Sequence, residues 1–131
     1  MQTIRTFYIL TIIIGTWQQN APKVIKIEVE IMFVAMNRFK IVKGKEIEFE
    51  NVWKNRDTHL ANVPGFKTFN LVKGDKKEDY TLYASHSIWN SKEDFWNWTK
   101  SEAFKLAHKN AGQHKSLYIG APDFEGFEKV L

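Results

Sequence analysis

A chain of 131 residues with 44% hydrophobic and 26% charged side chains is one domain's worth and long enough to bury a real core. It has no cysteine, which excludes disulfides, thiolate metal ligands and a cysteine nucleophile. The net charge of +4 comes from lysines scattered among acids, as in Lys73, Asp75, Lys76, Lys77, Glu78 and Asp79, so nucleic acid is not an expected partner.

Aromatic residues are plentiful, with five Trp and ten Phe, and such a supply of flat apolar surface points to a lined pocket or an interface. Residues 1–31 read as an N-terminal extension or an early translation start, and 32–131 as the domain. Phe7–Ile14 is apolar but too short to span a bilayer, so no membrane association is expected. With Arg5 ahead of it the run has the look of a signal-peptide core. The cleavage site is poor, however, because Gln19 stands before Ala21 and Pro22 follows it. A cytoplasmic location is therefore expected, with export the minor alternative. Val24–Ile31 alternates Ile25, Ile27, Val29 and Ile31 with Lys26, Glu28 and Glu30, which is strand periodicity.

Met32–Val42 reads as a strand. Lys43-Gly44-Lys45 turns into a helix from about Glu46 to Ala61, with Phe49, Val52, Trp53 and Leu60 at helical spacing and Val63-Pro64-Gly65 as its stop. Phe66–Lys73 is a strand, Gly74–Glu78 a charged hairpin loop and Asp79–Trp89 a strand. A loop from Gly112 through Pro122 leads to a last strand, Phe124–Leu131. With helices between Trp89 and Gly112, the order β-α-β-β-α-β is the α+β, ferredoxin-like arrangement.

Ser91–Asn110 is the most informative stretch. Ser91 with Asp94, and Thr99 with Glu102, fit the capping-box spacing, so two short helices with a bend are expected. On one straight helix Trp98 and His108 would stand about 15 Å apart. A bend near Thr99–Ser101 would bring them to a common cavity.

The segment W-x-K-S-x-x-F-K-x-A-H-K, Trp98 to Lys109, together with M-F-V-A-M-N-R-F around Asn37, resembles the Isd-type heme-degrading monooxygenases of the antibiotic biosynthesis monooxygenase family. The likeness spans about Met32 to Leu131. It implies a ferredoxin-like homodimer with a paired-sheet barrel, and a heme site made of a distal Asn, a Trp, and a His ten residues after that Trp. Asn37, Trp98 and His108 match those positions. The resemblance implies catalytic and heme-binding roles for all three, with His108 as the iron ligand. Heme would be both substrate and cofactor, dioxygen the co-substrate, and an external reductase the electron donor.

Each of these residues also has an ordinary reading. His108 suits a helix C-terminus, where a cation is favoured; Trp98 suits core packing; Asn37 suits a cap or bulge at a strand end. Trp96 and Phe95 are assigned to packing, His86 to the sheet, and His59 and His114 to the surface. The rival functions are a cofactor-independent monooxygenase of the same family acting on an aromatic or quinol substrate, and a non-catalytic dimeric binding or stress module.

Overall fold

The computed structural model describes residues 31–131; Phe7–Ile14 and all of the alternating segment before Ile31 lie outside the described residues. Four strands form one antiparallel sheet: β1 Phe33–Val42, β2 Phe66–Lys76, β3 Tyr80–Trp89 and β4 Asp123–Glu128, in the order β2-β3-β1-β4. The expected α+β, ferredoxin-like order is present. The helices are α1 Glu46–Lys54, α2 Lys92–Thr99 and α3 Glu102–Ala107, followed by a 3-10 helix, Ala111–Leu117.

The pleat of β1 sends Phe33, Ala35, Asn37, Phe39 and Ile41 to one face, and all of these except Asn37 are fully buried. They pack in two clusters. Phe33 and Ala35 join Leu60, Trp89 and Phe95; Phe39 and Ile41 join Phe49, Tyr83 and Leu117. The gap between the clusters falls at Asn37. Two carboxylates hold α1 to the sheet: Tyr83 donates to Glu50 at 2.6 Å and Thr81 to Glu46 at 2.7 Å. Burial and the Glu50 carboxylate together raise the Tyr83 pKa well above the usual phenol value, so the hydroxyl stays a donor.

Several boundaries differ from the sequence reading. Helix α1 ends at Lys54, not Ala61. Beyond it the Asp57 side chain accepts from the His59 N–H at 2.8 Å, a local turn, and His59 adopts a left-handed φ of 53° that no α-helix accommodates. Leu60 therefore reaches the core from a loop, and His59 is not helical. Strand β2 runs on to Lys76 through a register shift after Lys73, which shortens the hairpin loop to residues 77–79. The last strand stops at Glu128, and the segment after Gly112 is partly 3-10 helix.

Both expected helices after β3 are present, but one cap is different. Ser91 caps α2, accepting from the Asp94 N–H at 3.1 Å. The cap of α3 is Ser101, not Thr99, whose hydroxyl bonds back to the Trp96 carbonyl. Ser101 donates to the Trp98 carbonyl at 2.6 Å and accepts from the Phe104 N–H at 3.2 Å. One hydroxyl thus closes α2 and opens α3. Ser101→Ala is expected to cost about 1 kcal/mol of stability, read as a lower urea midpoint, and Ser101→Thr to restore most of it.

Candidate functional site

The gap between the core clusters opens into a cavity of about 880 Å³, within the range of small-molecule sites. Asn37, Trp98 and His108 all line it. The bend at Ser101 brings the rings of Trp98 and His108 to 6.2 Å between centroids, in place of the separation on a straight helix. Phe104 lies between them, 4.8 Å from Trp98 and stacked on His108 at 3.9 Å.

Asn37 is mid-strand in a continuous register with β3, so neither a cap nor a bulge accounts for it. Its Oδ1 is buried and has no hydrogen-bond partner among the described residues, and the same holds for Nε1 of Trp98. Buried polar atoms without partners are costly. Trp98 is also a packing residue, against Trp89 at 5.2 Å and Phe95 at 5.8 Å. Phe95 is core as expected, whereas Trp96 is 43% exposed and forms an edge of the cavity with Phe124.

His108 caps the C-terminus of α3 and stands exposed at the cavity mouth. Its Nδ1 lies 2.8 Å from the Phe104 carbonyl oxygen. A carbonyl only accepts, so Nδ1 carries the proton and Nε2 keeps a free lone pair. Contact with Phe104 removes water from one side of the ring. This desolvation pushes the His108 pKa below the ordinary 6.5; the bond to Phe104 opposes the shift and the nearby Arg56 charge adds to it. The neutral imidazole, the form able to ligate a metal, therefore predominates at pH 7.

Arg56 was not singled out from the sequence. Its Nε and Nη2 both donate to the Ala107 carbonyl, at 2.8 and 2.6 Å, and its guanidinium lies over the Trp53 ring at 4.8 Å. It ties the end of α1 to the end of α3, next to His108. The pairing of Trp53 and Arg56 at helical i,i+3 spacing was the available signal. Arg56 and Lys115 line the cavity, and no carboxylate does among the described residues. Ser85 and Ser87 also line it; they alternate in Y-A-S-H-S-I-W on the face that Asn37 shares.

The other histidines stand apart from this cavity. His86 pairs with Met36 and so faces the opposite side of the sheet. His59 and His114 line a second, more polar hollow of about 670 Å³ between α1 and the 3-10 helix. That hollow contains none of Asn37, Trp98 and Ser85 and has no cluster of metal-ligating side chains among the described residues, so the apolar cavity is the better candidate.

Residues 32–110 match the family described as antibiotic biosynthesis monooxygenase. A heme-degrading monooxygenase of Bacillus thuringiensis is 33% identical over 93 residues, covering 71% of this chain and 79% of that protein. Among solved structures, the heme-degrader MhuD of Mycobacterium tuberculosis, with two hemes in its active site, superposes with a TM-score of 0.60 at 27% identity, over 76% of this chain and 96% of MhuD. SnoaB, a cofactor-independent oxygenase of Streptomyces nogalater, shares the fold with a TM-score of 0.56 at 22% identity, over 76% and 94% of the two chains.

The folded state takes up the His108 proton at lower pH than the unfolded chain does. Protonation in the unfolded chain then drains stability as the pH falls below 6.5, while above that value the linkage vanishes. Ring-proton shifts of His108 are expected to titrate with a midpoint below 6.5, and His108→Gln to flatten the fall of the urea midpoint on acidification.

Proposed function

Because this chain belongs to the antibiotic biosynthesis monooxygenase family, we propose that it is a heme-degrading monooxygenase and that heme occupies the cavity beneath α2 and α3. The observation that carries this reading is the His108 imidazole, held with Nδ1 on the Phe104 carbonyl and Nε2 unengaged at the mouth of an aromatic cavity. A cofactor-independent oxygenation gives such a nitrogen no metal to hold. The charge pattern agrees. Heme is a flat apolar macrocycle with two carboxylates, and the cavity offers aromatic walls with Arg56 and Lys115 as its charged groups. A neutral quinol would leave those cations unmatched.

The residues fit heme in three respects: a free imidazole nitrogen, room of suitable size, and buried polar atoms without partners among the described residues, Asn37 Oδ1 and Trp98 Nε1 among them. When bound, heme supplies the iron at which dioxygen is activated, with electrons from an external reductase, and the products are free iron and an opened tetrapyrrole. The protein's part is to hold and to orient. His108 offers a neutral lone pair to the iron. Asn37 would offer its amide to the bound ligand from the cavity floor. Trp98, backed by Trp89 and Phe95, would form a rigid apolar wall against the bound macrocycle and keep water from it. Preorganisation matters here because the imidazole is held by a backbone carbonyl and the indole by three aromatic neighbours before the ligand arrives.

The reading includes a homodimer formed through the sheet face away from the helices. That face carries Val34, Met36, Ile88, Val72 and Phe127 by the strand register, with Val72 41% and Phe127 45% exposed. Apolar side chains grouped on one face favour a partner surface. Ile88→Asp is expected to shift the sedimentation coefficient from dimer to monomer; an unchanged value rules out this face as the contact.

Hemin titration tests the function. Wild-type protein is expected to bind hemin stoichiometrically, and His108→Ala to lose the axial-ligand spectrum while keeping its circular dichroism. Asn37→Ala and Trp98→Ala are expected to bind hemin yet degrade it at least roughly tenfold more slowly with a reductant and oxygen, catalase being present, a floor below the roughly hundredfold or more that one positioned donor contributes. Trp98→Phe is expected to be milder because it leaves less cavity. Decay at the wild-type rate in both alanine variants would mark the reaction as nonspecific bleaching.

A further inference from the structure

Ser85 stands on β3 directly across from Asn37 on β1, and both side chains face the cavity. Opposed residues of an antiparallel pair have Cβ atoms about 4.5–5.5 Å apart, so the two form one polar spot on an otherwise aromatic floor. On the same face the neighbours of Asn37 are Ala35 and Phe39, and those of Ser85 are Tyr83 and Ser87.

The contrast with Ser87 is informative. The Ser87 hydroxyl accepts from the Trp89 indole N–H at 2.9 Å, which gives the buried indole its acceptor and accounts for a serine in the core. Ser85 has no such bond among the described residues, nor does Oδ1 of Asn37. They do not bond to each other either. A buried, unpartnered amide oxygen and a hydroxyl at opposed positions, with no hydrogen bond between them, are the arrangement that an ordered water bridges.

We propose that Asn37 and Ser85 together hold one water molecule on the cavity floor, and that Ser85 is a positioning residue for the ligand face that Asn37 addresses. The second clause rests on the heme reading; the first does not. Serine donates one proton and accepts through two lone pairs, and an amide offers both a donor and an acceptor. The bridged pair would hold a donor aimed into the cavity, where the Asn37 amide by itself has no side-chain partner to fix its rotation. A serine at this place is not required by the sheet, since a β-branched apolar residue packs better at the centre of a strand.

Threonine and valine differ here by the hydroxyl alone, so Ser85→Thr and Ser85→Val are the informative pair, each made in the full chain. Crystal structures without heme are expected to show the water between Asn37 Oδ1 and the hydroxyl at position 85 in wild type and in Ser85→Thr, and to lack it in Ser85→Val. With hemin loaded, all three proteins are expected to bind hemin within about twofold of one another, because affinity comes from burial and ligation. Cyanide affinity of the ferric complexes is expected to fall about three- to tenfold in Ser85→Val and to stay near wild type in Ser85→Thr, the loss of one hydrogen bond. The ratio of the tetrapyrrole regioisomers is expected to change in Ser85→Val only. A dry floor in the wild-type crystal, or equal cyanide affinities and product ratios in the two variants, overturns the assignment of Ser85. Wild-type protein that fails to take up hemin, with the water present, instead overturns the heme reading and leaves the polar pair standing.

Discussion

The Ser101 hydroxyl makes two hydrogen bonds in opposite senses, to the Trp98 carbonyl behind it and from the Phe104 N–H ahead. The rest of the site depends on that junction. A helix ends with unsatisfied carbonyls and begins with unsatisfied N–H groups, and here a single side chain serves one end and the next start. The turn it stabilises folds α3 back so that Phe104 and His108 face Trp98. Without a bend, Phe104 and His108 would sit about two and about three turns along from the tryptophan and face a different part of the sheet.

A second constraint acts at the far end of α3. The Arg56 fork on the Ala107 carbonyl satisfies a terminal acceptor and fixes the residue before His108. Its partial burial lowers the Arg56 pKa from the ordinary value, which is the cost of holding a guanidinium away from water. Part of that cost is offset by the Trp53 ring beneath it. The imidazole is thus positioned from both sides: through its own ring by Phe104 and through the backbone by Arg56. The same cation disfavours imidazolium, so the fixation and the neutral form have a common source.

The cavity exists because the core does not close over Asn37. Two aromatic clusters flank it along β1, and filling the gap with an apolar side chain would merge them into one continuous core. Leaving buried polar atoms without protein partners works against stability; the compensation lies in what the cavity can hold. Oδ1 of Asn37 and Nε1 of Trp98 are both in this condition, and they line the same space.

Much of the fold was legible in the chain itself, because strand alternation and capping residues are local signals. The period of two in Phe33, Ala35, Phe39 and Ile41, and the serine before Asp94, follow from backbone geometry that needs no distant partner. Asn37, Trp98 and His108 could be named only through the family resemblance, whose order and spacing they match. The end of α1 could not be read, since apolar spacing persists to Leu60 while a local turn at Asp57 and the left-handed His59 have already broken the helix. The capping-box spacing from Thr99 to Glu102 pointed to the wrong hydroxyl, because Ser101, one residue ahead of the same turn, is the one that reaches the Phe104 N–H. Only tertiary structure decided what lies between the named residues. Arg56 meets Ala107 across 51 positions of chain, and Ser85 meets Asn37 through strand register. Such meetings are set by how layers pack, and no spacing within one element encodes them.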